Sequence, residues 1–320
     1  MTATGAARLA LRLAAGLGLL ALTVWLAGPR ALAATLHQIS PMALLPALVL
    51  AVASNAASAW RWSAIARALG LRAPLRPLLA QYARGMTSNV LLPGATVSGD
   101  VLRAWELSRL GNPLLDSTAS VAFDRLSGLW TLCVLSFAAA GLAIVSGMEL
   151  TLAPGAGKVL GAYGLAMGAV VALPFLPWPS AWLEGLPGAM GSRLAQLRTR
   201  LREPATAAGL RRSLGPSLLV QLLSAAALVA CGRAAGLELS PLLVLAAAAP
   251  IFVMAALPVG VAGFGTRELA AVAVLGALGS APGPALATGV LYGVLGVTQG
   301  ILAAPLFLLR RGVPPGPGRA

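Results

Sequence analysis

Ionisable side chains gather at three places in a chain that is otherwise poor in them: Asp100 with Arg103, Asp124 with Arg125, and Arg267 with Glu268. Asn89 lies shortly before the first. An ionisable group at the centre of a bilayer costs at least about 2.5–3.5 kcal/mol, so such residues inside a membrane are paired and mark substrate or ion paths. In each place an acid and a base lie within three residues, which is what partial burial requires. The chemistry suited to these residues is recognition of a polar, anionic group, with carboxylates to balance charge or carry a proton.

Two of the three places follow Gly-rich breaks that resemble each other. One reads Leu92-Pro93-Gly94-Ala95-Thr96-Val97-Ser98-Gly99-Asp100-Val101-Leu102-Arg103. The other reads Leu257-Pro258-Val259-Gly260-Val261-Ala262-Gly263-Phe264-Gly265-Thr266-Arg267-Glu268. Both open on Leu-Pro, reach a Gly five or six residues later, and place an Arg four residues beyond it. Pro and Gly interrupt a helix at membrane depth and free backbone N–H groups that need partners. A half-helix starting after such a break aims its positive end inward, which suits a phosphate or other anionic headgroup. Arg holds phosphate in a bidentate fork and keeps its charge when desolvated. On this reading Arg103, Arg267 and Asn89 bind the headgroup. Gly94, Gly99, Gly263 and Gly265 let backbone approach it. Asp100, Asp124, Arg125 and Glu268 balance charge or couple a proton. The competing reading makes the breaks tight turns and helix caps whose ion pairs only fix packing. An internal duplication of about 150 residues would account for the two similar breaks.

The elements that must position these residues are membrane spans. Of 320 residues, 58% are hydrophobic and 10% charged, against about 25% charged in soluble domains. The apolar residues fall in blocks near the roughly 20 residues that cross a bilayer. About eight transmembrane helices are expected, at 9–27, 41–60, 119–146, 159–177, 215–232, 241–257, 269–280 and 285–309, so the fold class is all-α integral membrane protein. The two broken segments suit a re-entrant path. The first span is read as retained rather than cleaved. Trp60-Arg61-Trp62 reads as a headgroup-layer anchor closing the second span, and Pro29 to His37 as a short loop. Leu194, Leu197 and Leu201 share one face of the basic 179–214 connection, which suits either an amphipathic surface helix or a solvated loop. Residues 1–312 are expected to form one polytopic domain and 313–320 a disordered tail.

Net charge is +14, with 22 of 23 basic residues Arg. In a soluble protein this would raise nucleic-acid binding, but here the arginines cluster between apolar blocks as topology signals, and no nucleic-acid partner is expected. With the N-terminus inside, and Arg125 and Arg267 set aside as within the membrane, 18 Lys and Arg fall on the cytoplasmic side against Arg30, Lys158 and Arg233 outside. That asymmetry places both termini in the cytoplasm of a bacterial-type inner membrane. Cys133 and Cys231 lie in apolar blocks and read as packing residues. His37 is the lone His. No metal-ligand cluster, nucleophile–base set or P-loop is legible, so neither an enzyme, a cofactor nor an ATP-driven pump is expected.

At these residues the sequence resembles the lysylphosphatidylglycerol synthase transmembrane family, the flippase-like membrane proteins. The pattern is carried by Pro93, Gly99-Asp100, Arg103, Asp124-Arg125, Pro258 and Gly263-Phe264-Gly265-Thr266-Arg267-Glu268, in order and across nearly the whole chain. Ser98 and Ala262 stand where the pattern often has a paired Gly. The resemblance implies a lipid translocase that moves a phospholipid or other polar lipid between leaflets. Its partners would be membrane lipids with anionic or phosphate-bearing headgroups. Fused members attach an amino acid to phosphatidylglycerol through a further soluble domain. This chain ends at Ala320 after its last span, so that chemistry is not expected. Two other classes stand beside it. One is an accessory subunit partnered with an enzyme of a lipid or glycan pathway. The other is a membrane-embedded headgroup transferase using Asp100 and Asp124 as paired carboxylates.

Overall fold

The computed structural model describes residues 18, 20–25, 28–91, 96–148, 152–172, 203–257 and 263–307, and these are helical, with no strand among them. The expected first span lies largely outside the described residues, as do Pro93, Gly94, Pro258, the 193–201 face and the 313–320 tail. The helices are α1 (Pro29–His37), α2 (Leu45–Ala68), α3 (Leu75–Leu91), α4 (Thr96–Ser108), α5 (Leu114–Val145), α6 (Ala156–Ala172), α7 (Pro204–Arg212), α8 (Leu214–Ala234), α9 (Pro241–Ala256), α10 (Thr266–Ala277) and α11 (Pro282–Ala303). Four described stretches are long and apolar enough to cross a membrane: Pro41–Ala68, Leu114–Val145, Thr206–Ala234 and Pro282–Phe307. Ala156–Ala172 and Pro241–Ala256 are shorter apolar helices. The protein is a helical membrane protein. Val145, Leu165 and Ile144, 85%, 78% and 69% exposed, present the apolar exterior that lipid requires.

Three expectations change in extent. The Pro29–His37 loop is a helix, started by Pro29 after Gly28 at φ +91°. The second span does not close at Trp60-Arg61-Trp62; α2 runs two turns further, to Ala68. Trp60 is exposed, but Arg61 is 5% exposed and Trp62 fully buried, so these two face the interior rather than the headgroup layer. The seventh span is the 12-residue α10. At 1.5 Å per residue it rises only about 18 Å, less than a bilayer's hydrocarbon thickness.

The architecture repeats. A long helix, a broken helical hairpin and a second long helix occur twice, as α2, α3–α4, α5 and as α8, α9–α10, α11. Equivalent helices start 166 to 170 positions apart. Packing follows the same rule: α3 packs on α11 as α9 packs on α5, and α2 packs on α8 across the middle. This spacing stands beside the duplication of about 150 residues expected from sequence. Trp62, Leu78 and Leu107 centre the core of the first half. Leu228, Ile251 and Leu275 centre that of the second.

The helix before the second break carries Pro250 within it. Proline has no N–H to bond the Ala246 carbonyl four residues back. The Tyr163 hydroxyl donates to that carbonyl at 2.7 Å instead. One residue earlier, the Ser136 hydroxyl donates to Leu245 O at 2.9 Å and accepts from Ala249 N at 3.2 Å. Two neighbouring helices thus supply partners to the α9 backbone beside Pro250.

Candidate functional site

The first broken hairpin is fixed by contacts between its own arms. Arg84 on α3 holds Glu106 on α4 in a forked pair, Nη2 to Oε2 at 2.7 Å and Nε to Oε1 at 2.9 Å. Asn89 Oδ1 accepts from the Gly99 amide at 2.8 Å. Gly99 lies so close to α3 that a Cβ there would meet the Gly85 carbonyl and come within 2.5 Å of Asn89 Oδ1. Gly99 therefore lets α4 approach α3 closely. Gly99→Ala is expected to destabilise the protein by about 1–3 kcal/mol through overpacking, read as a lowered unfolding midpoint in detergent.

Arg103 belongs to a buried ion network. Asp124 on α5 accepts from Arg61 Nε at 2.8 Å and from Arg103 Nη2 at 2.7 Å. Arg103 also reaches Asp100 at 3.3 Å, and Arg125 Nη2 holds Asp100 at 2.7 Å. The Arg103 guanidinium lies between the rings of Trp62 and Tyr82, 4.2 and 4.5 Å from their centroids. Its Nε and Arg61 Nη1 are buried without hydrogen-bond partners among the described residues. Arg61 fits because residue 128 is Gly: a Cβ there would stand 2.7 Å from Arg61 Nη1.

The pairing of Asp124 with Arg125 read from sequence is corrected. Adjacent residues on a helix do not face each other. Asp124 points inward with its side chain 1% exposed, whereas the Arg125 side chain is 45% exposed and pairs with Asp100.

The second break is built differently. Gly263 and Gly265 adopt φ +77° and +92°, a region that costs other residues strain. A Cβ on Gly263 would also stand 2.7 Å from the Ala255 carbonyl at the end of α9. Gly265 is the N-cap of α10, and its amide donates to Glu268. Glu268 is completely buried, and its other oxygen takes Arg267 Nη2 at 2.7 Å and Nε at 3.1 Å. Arg267 Nε also donates to Gly289 O at 2.9 Å, and its guanidinium lies 4.7 Å from the Phe264 ring centroid. The positive end of α10, expected to receive an external anion, is occupied by the protein's own Glu268.

Arg103 and Arg267 therefore have different partners. Each is four residues past a Gly, but Arg267 is the second residue of α10 and Arg103 the eighth of α4. Two helical turns carry them to different places.

What meets at one cavity is Asn89 and Arg267. A space of about 230 Å³ lies between the two halves, walled by α2, α3, α8, α10 and α11, and both side chains line it. Asn55 on α2 and Gln299 on α11 also line it and hydrogen-bond each other, Nδ2 to Oε1 at 2.8 Å. The small residues along α11 have separate jobs. A Cβ on Gly289 would stand 3.2 Å from Glu268 Cα, and one on Gly300 2.6 Å from Val90 Cγ2. A Cβ on Gly293 would collide with the Arg267 guanidinium, and Gly296 faces the open cavity. These contacts lie within one chain.

Charged residues at both breaks, in a helical membrane bundle, are the features that carry the sequence resemblance. A family model described as the lysylphosphatidylglycerol synthase TM region matches residues 9–311. The chain belongs to that family. No curated protein matches it. Within the family frame, sequence reasoning missed Arg61, Asn55 and Gln299. Arg61 sat in an aromatic triplet that imitates an interfacial anchor. Asn55 and Gln299 were legible as amides inside apolar spans, a signal overlooked in favour of charges.

Proposed function

We propose that the protein is a non-enzymatic lipid translocase that carries a polar lipid between the leaflets of a bacterial inner membrane, crossing it about eight times with both termini cytoplasmic. One observation supports this most: the cavity between the two repeated halves, where Arg267 and Asn89 converge at a helix break. In this reading Arg267 receives the lipid phosphate on the guanidinium edge turned from Glu268, and Asn89 offers its amide N–H₂ while its oxygen caps α4. Asp100, Asp124 and Arg125 hold the bundle around the site, and Arg103 acts from the buried network rather than by touching lipid.

The test is movement of an acyl-labelled phospholipid between leaflets of proteoliposomes holding the purified chain. Movement no faster than in empty liposomes would sink the reading. Gly293→Ala sets a Cβ against the Arg267 guanidinium and 2.9 Å from Phe264 Cζ, so its unfolding midpoint is measured beside its lipid movement. It should slow lipid movement about tenfold, the effect of one displaced charge-assisted contact.

A further inference from the structure

The cavity's lining also bears on which headgroup it takes, given the translocase reading above. Its described lining holds one cation, Arg267, several amide and hydroxyl groups, and no carboxylate. Glu268 is turned away: one oxygen holds Arg267 and the other the Gly265 amide. An ammonium group in this space would share the lipid's single phosphate with the Arg267 guanidinium, and the described lining offers no carboxylate to balance the second cation.

The free hydrogen-bonding capacity is of mixed sign. Asn55 Nδ2 spends both hydrogens, on Ala51 O and on Gln299 Oε1, which leaves Asn55 Oδ1 as an acceptor. Gln299 Nε2 gives one hydrogen to Leu295 O and keeps another. Asn89 uses its oxygen and keeps its N–H₂. Hydroxyls, which both donate and accept, match such a set; ammonium groups only donate.

A second space adjoins the cavity. A groove of about 360 Å³ runs between α2, α3 and α11, lined by Val52, Leu79 and Leu302 among others, and shares Asn55, Met86 and Gln299 with the cavity. An apolar groove beside a polar cavity fits an acyl chain beside its headgroup, with the Asn55–Gln299 pair lining both.

We infer that the ligand is a lipid with one phosphate and an uncharged, hydroxyl-bearing headgroup, such as a glycerol or sugar phosphate, and not an amine-bearing lipid. Asn89→Asp makes the sharpest test, because it keeps the acceptor for Gly99 N and places a carboxylate in the cavity; Gln299→Glu does the same from α11. The purified full chain would be titrated in detergent with phosphatidylglycerol, phosphatidic acid, phosphatidylethanolamine, lysylphosphatidylglycerol or soluble glycerol phosphate, following its unfolding midpoint. Phosphatidylglycerol should act at concentrations about tenfold below those of both amine-bearing lipids. It should also outdo phosphatidic acid, and glycerol phosphate should have little effect. Either carboxylate variant should shift preference toward phosphatidylethanolamine.

Equal response to all headgroups, or preference for an amine, would overturn the inference. So would phosphatidic acid matching phosphatidylglycerol, or glycerol phosphate acting as well as the lipid. Selective binding without leaflet exchange in proteoliposomes would uphold the headgroup class and refute the translocase reading; exchange that ignores the headgroup would do the reverse.

Discussion

Asp124→Asn is expected to be the most damaging single substitution in the first half, lowering stability by about 3–5 kcal/mol. Asp124 is the one carboxylate shared by Arg61 and Arg103, at 2.8 and 2.7 Å, with its side chain 1% exposed. Counting Asp100 and Arg125, the network already holds three cations against two anions. Neutralising Asp124 leaves Arg103 sharing Asp100 with Arg125, and Arg61 with no anion among the described residues. An uncompensated Arg within a bilayer costs at least about 2.5–3.5 kcal/mol on insertion scales. Asp100→Asn should cost less, because its side chain is 24% exposed and Arg125 can turn to the surface. The measurement is unfolding of the purified protein in mixed micelles, compared between the two variants. Equal effects would show that Asp124 is not the hub.

How much of this could be read from the sequence divides along a physical line. The spans were legible because burying backbone in lipid demands long apolar blocks, and α5, α8, α9 and α11 fall where those blocks are. The breaks were legible because Pro and Gly act locally. Pairings were not, because a helix turns 100° per residue and sends neighbours apart: Asp124 and Arg125 are adjacent in the chain yet bond to different partners. Arg61 was hidden for a similar reason. Its flanking tryptophans suggested a surface, while the helix continued past it and turned Arg61 and Trp62 inward. The two Gly-to-Arg spacings matched in sequence but not in register with the helix starts, so equal motifs produced a buried structural Arg in one half and a cavity-lining Arg in the other. The cavity itself depends on which faces of five helices meet, and no local pattern encodes that.

Arg267→Ala by itself should lose both stability and lipid movement, and the double variant Arg267→Ala/Glu268→Ala should recover much of the first but not the second. Glu268 has no exposed surface, and Arg267 is the cation paired with it. Removing Arg267 alone leaves a buried carboxylate held only by the Gly265 amide and the start of α10, a loss of about 3–5 kcal/mol. Removing both takes away the stranded charge. What then remains is the lost N3 cap and the lost packing on Phe264, on the order of 1 kcal/mol for the cap. If Arg267 is there only to neutralise Glu268, the double variant should transport as well as it folds. If it receives the lipid phosphate, the double variant should be a folded, monodisperse protein whose lipid exchange matches empty liposomes. Comparing unfolding midpoint and exchange rate across the three proteins separates these roles. Exchange in the double variant close to the unsubstituted rate would remove Arg267 from the headgroup site.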